Sequence, residues 1–105
     1  MLEIRIETLR NHIKTYSAVG HSDHTCGSVT CVSRTFVLLA RELTGVTVNY
    51  DAPREGEFSF EVFADNLPPH LDAYLDGLTQ FLIKAIKDLE LEFPDEVKVG
   101  LKASV

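Results

Sequence analysis

The chain opens with strict alternation: Leu2, Ile4 and Ile6 are apolar, and Glu3, Arg5 and Glu7 between them are charged. A period of two places one face of a strand in a core and the other in water, so a first strand is predicted here. Asn11 and His12 break the run. Ile13 to Val19, which carries Tyr16 and stops against Gly20, predicts the partner strand of a hairpin. From Val29 the spacing changes: Val32, Phe36, Leu39 and Leu43 recur at three and four residues, and Gly45 stands where helices commonly end.

Val46 to Asp51 alternates again. Ala52 to Glu57 offers Pro53 and Gly56 for a turn, and Phe58, Phe60 and Val62 alternate with Ser59 and Glu61, which predicts a second hairpin. Beyond Pro68 and Pro69, the positions Leu71, Leu75, Leu78, Leu82, Ile86 and Leu89 trace one face of a long helix that stops before Pro94. Val97, Val99 and Leu101 predict a last strand. The order is ββαββαβ. Half-wet strands beside amphipathic helices imply an α+β fold, a single mostly antiparallel sheet with both helices packed on one face.

Composition supports one domain over residues 1–105, since 45% of the chain is apolar and 25% is charged, and no stretch reads as a linker. The longest apolar run, Phe36 to Ala40, is far short of the roughly 20 residues that cross a bilayer, so no membrane partner is expected. The alternating N-terminus lacks the pattern of a signal peptide, which points to the cytoplasm. Two cysteines are too few to staple a secreted domain, so reduced thiols are expected. Ten basic against sixteen acidic residues give a net charge of −6, with the basic residues scattered. That argues against direct nucleic-acid binding and favours approach by basic proteins or peptides.

The chemistry concentrates in one segment. Gly20 to Cys31 carries His21, Asp23, His24, Cys26 and Cys31 between a strand and a helix, and the connection, read as Gly20 to Ser28, is longer than such loops usually are. Read from Val29, the helix puts Cys31 near its start, where unpaired N–H groups and the helix dipole favour a thiolate and hold a developing oxyanion. His21, directly after the strand, is the candidate base. The alternatives are a Cys31 that acts as a small buried hydrophobe, a His21 bonded to nearby backbone, and a zinc site built from His21, Asp23, His24, Cys26 and Cys31 at a spacing that matches no recurrent motif. His12 and His70 are read as turn and cap residues without partners. Most of Phe58, Phe60, Phe63, Tyr74 and Phe81 are assigned to the core.

At this loop the sequence resembles the ribosomal-processing cysteine protease family, on Gly20, His21, Cys31 and Thr35, and more loosely over the whole chain, including Asn49 to Asp51. The resemblance implies the same ββαββαβ order and a cysteine endopeptidase that removes the N-terminal extension of a large-subunit ribosomal protein of the L-twenty-seven type. It implies Cys31 as nucleophile, His21 as general base, Thr35 in the family's serine position one turn beyond the nucleophile, no cofactor and a possible homodimer. The precursor ribosomal protein is the implied partner, and its basic extension suits an acidic enzyme. The sequence departs from the family in a shorter His-to-Cys interval, in Ser28 where an Asp is usual, and in the additional Cys26. Asp23 is then the nearest carboxylate for orienting the imidazole. A non-catalytic binding or ribosome-assembly module of the same fold is the competing reading.

Overall fold

Both predicted hairpins form, and they share a sheet. In the computed structural model, which describes residues 1–104, the elements follow the order β1 (Leu2–Leu9), β2 (His12–Gly20), α1 (Cys26–Ala40), β3 (Val46–Asp51), β4 (Glu57–Ala64), α2 (Pro69–Glu92) and β5 (Val97–Ser104). The sheet order is β3-β4-β2-β1-β5. Three of its pairings are antiparallel and β1 with β5 is parallel, which matches an α+β fold with a mostly antiparallel sheet. The parallel pair follows from topology: the chain leaves β4, passes through α2 and returns at the far edge beside β1.

One rung shows how alternation builds the core. Leu101, Ile6, Tyr16, Phe60 and Tyr50 stand side by side across all five strands. Ile6, Tyr16 and Phe60 are buried in its middle, whereas Leu101 and Tyr50 lie exposed on the edge strands. Tyr16 stacks on Phe60 with ring centroids 4.8 Å apart, and Phe36 of α1 stacks on Phe60 at 5.3 Å. α2 lays Leu75, Thr79, Leu82, Ile83 and Ile86 on the same face. Beside a register shift between Glu7 and Thr8, the amide of Ile13 donates to the buried hydroxyl of Thr79 at 3.2 Å, which ties α2 to β2.

Three expectations need correction. α1 begins at Cys26, one turn before the apolar spacing starts, because Gly27 and Ser28 face solvent and Cys26 is small and only half-buried, so the first turn carries no large apolar mark. Phe63, Tyr74 and Phe81 are 48%, 47% and 61% exposed and are not core residues; Phe63 shares the helix-free face of the sheet with its partner Thr47, and the two on α2 lie off its buried stripe. His12 has a partner, Asp72 at the start of α2, whose carboxylate lies 3.2 Å from Nε2. No helix among the described residues is long and apolar enough to cross a membrane.

Candidate active site

The segment rich in His and Cys is held at both ends by backbone. β2 ends at Gly20, whose φ of +115° suits glycine, and a Cβ there would stand 2.1 Å from the carbonyl oxygen of Met1. The Gly20 amide donates to the carbonyl of Gly56 in the β3–β4 turn at 2.9 Å. Gly20 is therefore required for close approach of three backbone segments. The chain then needs only His21 to Thr25 to reach α1, so the connection is ordinary in length, contrary to the sequence reading.

Thr25 precedes the helix and is fully buried. Its amide donates to Ser22 Oγ at 3.3 Å, and the two hydroxyls bond to each other. Thr25 gives α1 no side-chain cap, and the amides of Cys26, Gly27 and Ser28 have no protein acceptor among the described residues. Those three donors lie on the first turn, where the helix dipole also favours negative charge. The residue that carries a thiol there is Cys26.

Cys31 lies a turn further on. Its amide belongs to the interior of α1, so the placement at the helix start, expected when the helix was read from Val29, does not hold. Five residues at about 100° each carry Cys31 about 140° round the helix from Cys26. Val29, Ser33, Phe36, Val37 and Ala40 form the buried stripe; Cys26 borders it and is half-buried, whereas Cys31 faces solvent on the far side. Ser28 and Thr35 are also exposed, and the Thr35 hydroxyl donates back to the Cys31 carbonyl at 2.7 Å.

A cleft of about 350 Å³ opens between the first turns of α1 and the β3–β4 turn. Cys26, Thr30 and Arg34 line one wall, Gly20 and Gly56 line the other, and Leu2, Ala18, Val29 and Phe58 add apolar surface. Beside it the His21 ring packs on Gly56, so closely that a Cβ on Gly56 would meet Nε2 at 2.7 Å. The cleft thus brings Gly20, Gly56 and Cys26 together, and His21 lies beside it against Gly56. Cys31, Ser28 and Thr35 are left outside it.

The carboxylate that organises the loop is neither Asp23, which is exposed, nor a residue near Ser28. It is Glu96, in the turn before β5. Its Oε1 accepts the His24 amide at 2.8 Å and the Thr25 hydroxyl at 3.4 Å, and its Oε2 lies 2.8 Å from His24 Nδ1. Hydrogen bonding to Glu96, then its charge, raises the pKa of His24, and the His24 amide and ring lower that of Glu96 in return. With His24 turned toward Glu96, the five donors of the zinc reading do not converge; among the described residues no three His, Cys, Asp or Glu side chains come together to hold a metal ion. A wider concavity of about 790 Å³ covers the helix-free face of the sheet, but its walls, including Arg5, Ser17, Ser59 and Asp51, bring no thiol or imidazole.

No protein-family model and no curated protein matches the sequence. Solved structures do match the fold. SMU.848 from Streptococcus mutans aligns with a TM-score of 0.77 at 14% identity, over 99% of this chain and 96% of that one. The essential ribosomal processing protease Prp from S. aureus, in complex with a covalently linked product peptide, aligns with a TM-score of 0.77 at 15% identity, over 97% of this chain and all of that one. The same protease with a substrate peptide gives 0.73 at 14% identity, again over 97% of this chain and all of the other. The chain therefore carries the fold of the ribosomal processing protease Prp.

Proposed function

We propose that this chain is a single-domain cysteine endopeptidase that acts on a peptide segment of a ribosomal-protein precursor, with the thiol of Cys26 as nucleophile and His21 as its base. The observation that carries the reading is the position of Cys26: the first residue of α1, half-buried, on the wall of a cleft whose opposite side is Gly56 with His21 packed on it. Thr30 stands one helical turn beyond Cys26 on the same wall, the relation that the family resemblance assigns to a hydroxyl residue beyond the nucleophile. The Cys31 and Thr35 pair repeats that spacing on the solvent side of the helix.

In the reaction the Cys26 sulfur attacks the scissile carbonyl carbon as His21 takes the thiol proton. The carbonyl oxygen becomes an oxyanion that the free amides of the first turn of α1 stabilise. Collapse breaks the C–N bond, and His21 delivers its proton to the leaving amine. The thioester that remains is attacked by water, activated by the same imidazole, which restores the thiol and releases the carboxylate product. No cofactor enters. The covalently linked product peptide of the S. aureus protease supports a covalent route on this fold. The apolar lining of Leu2, Ala18, Val29 and Phe58 suits a large uncharged side chain before the cut, and the net charge of −6 suits the basic N-terminal region of a cytoplasmic ribosomal protein of the L-twenty-seven type.

Mixing the protein with a ribosomal-protein precursor that retains its N-terminal extension and following intact masses tests the reading. A discrete mass loss from the precursor is expected. Binding without any mass loss replaces the peptidase with a non-catalytic module of the same fold. The resemblance also implies pairing of two copies, which light scattering on the purified protein reads directly.

A further inference from the structure

Between His21 and Cys26 the chain is bound to a distant part of the fold. Glu96, 72 residues beyond His24, half-buried at the surface, receives the His24 amide, the His24 imidazole and the Thr25 hydroxyl. The same turn is locked to β1, since the amide of Leu2 donates to the Glu96 carbonyl at 2.8 Å, and Phe93 lies parallel to the His24 ring at 6.5 Å. Glu96 thus belongs to a rigid corner of the sheet, while the residues it grips are the middle and end of the connection that carries the candidate base and nucleophile. Neither His21 nor Cys26 touches Glu96 in a hydrogen bond among the described residues.

We propose that Glu96 is a positioning residue for the His21 and Cys26 pair, acting through His24 and Thr25 to fix the segment between them. The proposal rests on the peptidase reading for its consequence, but not for its geometry. A carboxylate with three donors on two successive residues leaves that segment little freedom, and it sets both where α1 begins and how far His21 stands from it. Small displacements of a base from its nucleophile slow the chemical step more than they weaken binding. The titratable groups that face the His24 ring are Glu96 from the turn before β5 and Asp23 from its own loop, and both favour the protonated imidazole. The clamp is therefore tightest where His24 is charged and Glu96 is ionised.

Glu96→Ala, Glu96→Gln and His24→Gln, with the double variant Glu96→Ala/His24→Gln, test this in the full chain. Expected are a tenfold or greater rise in amide exchange at His24 and Thr25 in Glu96→Ala, a kcat at least tenfold lower with KM within about twofold, and intermediate values in Glu96→Gln, which keeps one acceptor. The double variant should be no worse than Glu96→Ala, because the His24 ring contact is already lost in Glu96→Ala. The His24 titration followed by NMR should move down toward its ordinary value in Glu96→Ala. Unchanged exchange at His24 and Thr25, or effects of the two sites that simply add, overturns the proposal. If the unaltered protein cleaves no precursor, the peptidase reading fails, while exchange and the His24 titration still decide for or against the clamp.

Discussion

The imidazole of His21 rests directly on the α-carbon of Gly56: an added Cβ would stand 2.7 Å from Nε2 and 2.9 Å from Cε1. Gly56 also has a φ of +84°, a conformation that side-chain-bearing residues rarely adopt. Gly56→Ala therefore strains the turn and pushes the ring away at once. The expected loss of stability is about 1–2 kcal/mol from the backbone, read as a lower melting temperature. Activity measured well below melting should fall further than that loss explains, because the base has moved. A variant of normal activity would separate His21 from the reaction.

The sheet determines which side of α1 faces the cleft. Tyr16 and Ser33 share a buried hydroxyl-to-hydroxyl hydrogen bond, both residues being 1% exposed. Ser33→Ala leaves the Tyr16 hydroxyl without its partner and should cost about 1–3 kcal/mol, measured by urea unfolding. Tyr16→Phe should cost no more, since the small Ser33 hydroxyl can turn back to its own helix.

Burial pushes the Tyr16 phenol up to about 12 from an ordinary 10, against a smaller opposing effect from its bond to Ser33. The unfolded chain therefore ionises first. Stability from this group is fully present below pH 10 and is lost as pH rises from 10 toward 12, by an amount on the order of 2–3 kcal/mol. Alkaline unfolding followed by circular dichroism should show that slope in the natural sequence, and Tyr16→Phe should remove this tyrosine's share of it.

The His24 and Glu96 pair gives a second, milder pH dependence. The pKa of His24 is raised, so its contribution is present below the ordinary imidazole value of 6.5 and fades as pH climbs through the raised one. The pKa of Glu96 is lowered, so its contribution is present above the ordinary carboxylate value of 4.5 and fades as pH falls through the lowered one. The melting temperature of Glu96→Ala should trail that of the natural sequence most between those limits. The two curves should approach each other at both ends. A gap independent of pH would mean that the pair is held by shape and not by charge.

The fold was legible because most of its elements alternate or repeat against a one-sided core: Leu2, Ile4 and Ile6 in β1, and Leu75, Leu82 and Ile86 in α2, are each buried as their spacing requires. The site was legible only in outline. Gly20 and His21 stand at the end of β2, as their order in the sequence requires, but two cysteines each stand four residues before a threonine, Cys26 with Thr30 and Cys31 with Thr35, so spacing alone gives two candidate nucleophiles. What separates them is where α1 begins. That point carries no apolar signal, because Cys26, Gly27 and Ser28 begin the helix without burying a large side chain. Glu96 left no local trace at all, since its partners lie 71 and 72 residues away and meet it only once β5 has docked on β1.

In the proposed reaction the thiol at the first residue of α1, Cys26, performs the chemistry. Intact-mass analysis of a precursor ribosomal protein incubated with the natural sequence, with Cys26→Ala and with Cys31→Ala tests it most directly. The same truncated product is expected from the natural sequence and Cys31→Ala, and an unprocessed precursor from Cys26→Ala that is folded by its amide spectrum. Processing that survives in Cys26→Ala and stops in Cys31→Ala would contradict it.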